Sequence, residues 1–111
     1  MITDKEDFWE KVVKKAKELE FVYTLIQRKE NKIIRVISGG IVVETKKSIG
    51  GEIVPKSMFD STFEALSSGK PISQKELLNK YGVYRSAFVM ALVSKLDEVV
   101  FDPIQKTIRL K

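Results

Sequence analysis

Between Pro71 and Leu96 the chain reads PISQKELLNKYGVYRSAFVMALVSKL, and its punctuation leaves little freedom in how it folds. Ser73 followed three residues later by Glu76 is a capping box, and Ile72 and Leu77 on either side of the cap supply a hydrophobic staple. A helix therefore starts near Gln74. Gly82 stands where a helix needs a left-handed residue to stop, so the first helix ends near Tyr81 and a second begins near Tyr84. Two short helices across so tight a turn make a helix-turn-helix.

The flanks extend the motif. Pro55 opens a helix with Phe59, Phe63 and Leu66 on one face, ending at Ser67-Ser68-Gly69. EVVFD and KTIRLK, either side of Asp102-Pro103, predict a terminal β-hairpin. Within that frame, Ser73, Glu76, Leu77, Tyr81, Gly82, Val83, Arg85, Ala91, Leu92 and Leu96 resemble the pattern of GntR-like winged helix-turn-helix domains over Pro55 to Lys111. The resemblance implies a second helix that enters the DNA major groove and a hairpin that touches the backbone.

That helix departs from the pattern in its polarity. Phe88, Ala91, Leu92 and Leu96 form a core seam, but Val89, Met90 and Val93 fall on the opposite face, and a helix apolar all round is normally buried all round. Tyr84, Arg85, Ser86, Ser94 and Lys95 are its only polar groups, few for hydrogen bonding to base edges. Val89, Met90 and Val93 are therefore expected to line a cleft or an interface, with a second copy in a homodimer or another protein as the candidate partner.

The first half changes chemistry. Thr3 with Glu6 predicts a capped helix from about Asp4 to Glu20, with Phe8, Val12, Ala16 and Leu19 at helical spacing and Trp9 and Val13 widening the stripe. Trp9 reads as a core anchor rather than a base-stacking platform. FVYTLIQR, KIIRVIS and IVVETKK then read as a three-stranded antiparallel meander. With Glu30-Asn31 and Gly39-Gly40 as two-residue turns, one face carries Phe21, Tyr23, Leu25, Ile34, Val36, Ile41 and Val43 and belongs under the helix. The other carries Val22, Ile26, Arg28, Ile33, Arg35, Ile37, Val42, Glu44 and Lys46. There Arg35 faces Glu44 as a cross-strand ion pair, or Arg28, Arg35 and Lys46 track a phosphate backbone, and the two readings are compatible. SIGGEIV, residues 48–54, is a linker or a short strand. The expected fold is α+β: a helix on a three-stranded meander in residues 1–54 and a winged helix-turn-helix-like half in residues 55–111, packed as one domain.

Composition limits the chemistry. The chain has 111 residues and neither cysteine nor histidine, which excludes disulfides, zinc-thiolate sites, imidazole bases and every Ser-His or Cys-His arrangement. Glu44-x-Lys46 resembles the end of the PD-(D/E)xK nuclease motif, but the preceding strand KIIRVIS lacks the second carboxylate that such a metal site needs. A non-enzyme without cofactor, metal or small-molecule ligand is expected. No apolar run approaches the roughly 20 residues of a membrane span and no signal-peptide pattern opens the chain, which predicts a cytoplasmic protein with no membrane partner. Abundant Lys and Glu with scarce Asn, Gln and Cys also match thermophile composition.

The net charge of +5 is unevenly spread. Residues 1–20 hold five bases and six acids, residues 21–52 six and three, and residues 53–111 nine and six. The basic excess lies in the sheet and the helix-turn-helix, which favours polyanionic partners. The order of elements, together with RSAFVMALVSKLDEV, is similar to the ThermoDBP family of archaeal single-stranded DNA-binding proteins. That resemblance implies a cleft between helices and sheet with flanking cations. The candidate nucleic-acid contacts are Arg28, Arg35, Lys46 and Arg85 for phosphates, Tyr84 for stacking, and Lys56, at an exposed helix start, as a further phosphate contact or an ordinary solvated lysine. A single-stranded partner is expected, with duplex-DNA regulation or a protein interaction module as the alternatives.

Overall fold

The capping box at Ser73 is formed in the computed structural model, which describes residues 2–111: the Ser73 hydroxyl accepts from Glu76 N–H at 3.1 Å, and the Glu76 carboxylate accepts from Ser73 N–H at 3.1 Å. It starts a helix over Gln74–Asn79 (α3). Gly82, at φ +68°, ends the unit in the left-handed region favoured by glycine, and Val83 N–H reaches back to the Leu77 carbonyl at 2.9 Å. The second helix, Ser86–Val93 (α4), is shorter than its sequence suggests and starts at Ser86, with Arg85 at the N-cap position, rather than near Tyr84.

Around this pair the second half has the predicted winged arrangement. Lys56–Leu66 (α2) precedes α3, and Val99–Asp102 (β6) with Thr107–Leu110 (β7) forms the terminal hairpin. Ile72–Ser73 (β5) adds to β7, giving a three-stranded sheet in the order β5-β7-β6.

The first half differs in detail. Its helix, Lys5–Glu18 (α1), is capped by Asp4, which accepts from Asp7 N–H at 2.8 Å, rather than by Thr3 with Glu6. The carboxylate of Asp7 in turn accepts from the N–H of Thr3, the residue before the cap, rather than from the cap residue itself as in a capping box. The sheet has four strands: Phe21–Tyr23 (β1), Glu30–Ile37 (β2), Gly40–Glu44 (β3) and Glu52–Pro55 (β4), in sequence order and antiparallel. The segment left open as linker or strand thus supplies an edge strand. The first turn is not Glu30-Asn31. Thr24 closes it earlier, with its N–H on the Lys29 carbonyl and its hydroxyl accepting Lys29 N–H at 2.8 Å, while Arg28 takes φ +56°. The second turn falls on Ser38 and Gly39, because Gly40 already pairs with Ile37.

A β-bulge decides which side chains face inward. Register slips between Ile33 and Arg35, so Ile33 pairs with Val43 while Arg35 pairs with Val42. Strict alternation would put Ile34 and Val36 on one face; the extra residue instead leaves Ile33 buried and Ile34 and Arg35 exposed. The inner face consists of Val22, Asn31, Ile33, Ile41, Val43 and Val54. The apolar ones share one buried cluster with Phe8, Trp9, Val12 and Ala16 of α1, Phe59 of α2 and all the large side chains of α4. Trp9 is a core residue, its ring 5.4 Å from that of Phe59. The two halves therefore share one core.

Candidate nucleic-acid interface

The helix that a winged unit would present to a duplex is the most enclosed element of this chain. Ser86 and Phe88 through Val93 are all buried, with Val89 and Val93 fully excluded from solvent. Its outer face meets the N-terminal half: α4 packs against β1 and α1 as well as α2 and α3. Val89, Met90 and Val93 are thus not an interface for a second subunit, because the same chain already covers them. The boundary between helices and sheet is likewise packed core where a cleft was expected.

Arg85 closes that boundary. Its Nη1 donates to Glu52 Oε1 of β4 at 2.6 Å and its Nη2 to Asn31 Oδ1 of β2 at 3.2 Å, so the residue ahead of α4 is strapped to two strands. Asn31 is buried, and its amide also donates to the Lys29 carbonyl at 3.3 Å. A guanidinium so engaged is a structural clamp, not a free phosphate ligand. Arg85→Ala is expected to lower unfolding stability by about 1–2 kcal/mol in urea titration, since it leaves a hydrogen-bonded carboxylate and a buried amide without their donor. An unchanged midpoint would show that the clamp carries no stability.

Glu52 gives the clamp a pH signature. A hydrogen bond from Ser48 Oγ at 2.7 Å and then the Arg85 contact hold its carboxyl below the ordinary value of 4.5. A depressed carboxyl pKa adds stability that is complete above pH 4.5 and is lost as the pH falls through the lower folded value. Glu52→Gln should therefore show a shallower acid-induced loss of stability below pH 4.5 by circular dichroism; an unaltered acid limb would remove Glu52 from the account.

Lys56 is also committed. Its Nζ lies 2.9 Å from Glu6 and 3.5 Å from Asp60, and 6.0 Å from the centre of the Trp9 ring, tying α2 to α1. Tyr84 is 79% exposed in the α3–α4 turn, in the winged half, whereas the other free candidates belong to the sheet half.

Cations without an ion pair occur throughout the described residues, Lys70, Lys75 and Lys95 of the winged half among them, and several belong to the sheet half. Among the described residues, Arg28, Lys32, Arg35, Lys46 and Lys47 make no ion pair, and all five are exposed. The expected Arg35–Glu44 pair does not form because the bulge sets Lys32 opposite Glu44, whose carboxylate accepts from Gly50 N–H at 2.9 Å. Arg35 instead lies opposite Val42, which lies opposite Ile53, making one row across three strands in which Arg35 and Ile53 are exposed and Val42 between them is buried. Next to it are Ile34 and Gly51. Ile34 is 38% and Ile53 54% exposed, so a patch of aliphatic surface sits among the free cations. Tyr23, 44% exposed, ends the same face on β1, its hydroxyl donating to Glu30 at 3.2 Å, which holds the phenol above its ordinary range.

Lys46 and Lys47 leave β3 just past Glu44, in a turn that Thr45 fastens by accepting the N–H groups of Lys47 and Ser48. Sequence reasoning named Arg35, Arg28 and Lys46 but missed Lys32 and Ile53. Lys32 was hidden by the misplaced turn, and Ile53 by leaving its segment open as a linker or a short strand. The β-branched pair Ile53-Val54 ahead of Pro55 was the available signal.

No protein-family model, curated protein or solved structure matches this chain. Its function has to be argued from the surface itself. Among the described residues, no helix is long and apolar enough to cross a membrane, and no group of three or more carboxylates could hold a metal ion.

Proposed function

We propose that the protein is a non-enzymatic binder of single-stranded nucleic acid, and that the ligand lies on the outer face of the four-stranded sheet. The observation that carries this reading is the unpaired set of Lys32, Arg35, Lys46 and Lys47 around exposed Ile34 and Ile53. Cations alone would suit any polyanion. Aliphatic surface between them suits a ligand that offers base faces as well as phosphates, which a single strand does and a stacked duplex does not. Burial of α4 weighs against groove reading by the winged half. A second copy is a poorer occupant, since a two-fold interface formed by this face would bring two sets of exposed cations together.

Anisotropy of a labelled single-stranded oligonucleotide and its duplex, at two salt concentrations, tests the proposal. Single-strand binding that weakens with salt is expected, with a log–log slope near −3 if four phosphates are neutralised at about 0.7 each. The double variant Lys32→Glu, Arg35→Glu should lose about a hundredfold at low salt while remaining folded, since both side chains are exposed. No binding at low salt, or full affinity in the double variant, would sink the proposal; preference for the duplex would return the function to the winged half.

A further inference from the structure

The outer face is asymmetric across its strands. Cations lie on β2, at Lys32 and Arg35, whereas the exposed aliphatic side chain of the row, Ile53, lies on β4, with Val42 between them. Strands are about 4.8 Å apart, so Arg35 and Ile53 start roughly 10 Å from each other, the reach from a phosphate to the far edge of its own base. Gly51 is packed against this row. A Cβ there would come within 3.0 Å of Val42 Cγ1 and 3.2 Å of Ile34 Cδ1, so these two side chains already close over the bare backbone. Its φ of +104° independently demands glycine.

The β1 flank offers a different surface. Tyr23 is exposed there, but Glu30 lies opposite it and accepts its hydroxyl, so phosphates following bases to that side would meet a carboxylate. Glu44, the other acid on this face, lies in the Lys32 row and is held by Gly50 N–H.

We infer that the row Arg35–Val42–Ile53 is a nucleotide-binding register: Arg35 takes a phosphate, and the base points toward β4, where it lies on the exposed side chains of Ile34 and Ile53. This rests on the single-strand reading above. The bulge at Ile34 is what makes the register, because without the extra residue Arg35 would face the core. The bound strand runs along β2 with its bases turned away from β1. Contact is through aliphatic side chains, so base identity matters little.

Two variants of the full chain, each with one added tryptophan, test the polarity, with Trp9 buried and constant in both. An oligothymidylate should quench the emission of Ile53→Trp about threefold more than that of Tyr23→Trp, because a base stacks only on the former. In parallel, Arg35→Gln should reduce the salt slope by about 0.7. Ile53→Ser should weaken binding about fivefold with the slope unchanged, the mark of a lost apolar contact rather than a lost phosphate. Stronger quenching at position 23, or Ile53→Ser with full affinity, would overturn the polarity while leaving single-strand binding intact. A parent protein that binds no oligonucleotide would remove both readings at once.

Discussion

Replacing Val89 by lysine is expected to cost the fold on the order of 4–5 kcal/mol, because the charge would have no partner and no route to water. Val89 is fully buried near the centre of α4, with Phe88, Met90 and Ala91 equally enclosed. Domains of this size have roughly 5–15 kcal/mol in all, so the variant should be largely unfolded or melt far below the parent. Tyr84→Lys, at the exposed turn just ahead of the helix, should change stability by no more than about 0.5 kcal/mol. Urea titration of the two variants reads the contrast directly. A Val89→Lys protein as stable as its parent would mean that α4 has a solvent face after all, and groove reading would again be open.

The second large effect belongs to Gly40. It is buried at the start of β3, where Gly40 pairs with Ile37 on one side and Pro55 on the other. An added Cβ would overlap the carbonyl oxygen of Val54 and crowd the Cα of Pro55. Both obstacles are backbone, so neither can rotate away. Gly40→Ala should therefore lower stability by about 3 kcal/mol, a fall of roughly 15 °C in Tm for a domain of this length. Gly39→Ala is the control, since a Cβ there meets nothing within 4 Å. Equal melting temperatures for the two variants would refute the close approach of β3 and β4.

Which parts of this fold were legible follows from how local their causes are. The capping box at Ser73, the stop at Gly82 and the helix after Pro55 depend on residues within one turn of each other, and all three are where the sequence puts them. The sheet depends on pairing across longer distances. Thr24 rather than Glu30-Asn31 makes the first turn because its backbone and hydroxyl both close on Lys29, which no hydrophobic pattern announces. The bulge at Ile34 then reverses the inside–outside assignment for part of β2, and period-two reasoning has no means of placing an extra residue. The apolar circumference of α4 was readable, but not what covers it. Two surfaces can bury such a helix, another molecule or the other half of the same chain, and composition does not distinguish them. Arg85 and Lys56 were misread for a related reason: their acceptors, Glu52 and Glu6, are 33 and 50 residues away in sequence.

The burial of α4 between the two halves also sets an order of events while the chain is being made. The inner face of the sheet, Val22, Ile33, Ile41, Val43 and Val54, is complete once residue 55 has been synthesised, yet the helix that fills it ends at Val93. At about 5–20 residues per second, the ribosome needs roughly 2–8 s to add that stretch. For that interval the nascent sheet has only α1, and after residue 66 also α2, as helical cover for its inner face. A sheet with two free edges and an incompletely covered apolar face is a substrate for chaperones and for self-association, so this chain should be most vulnerable before its translation is finished rather than after.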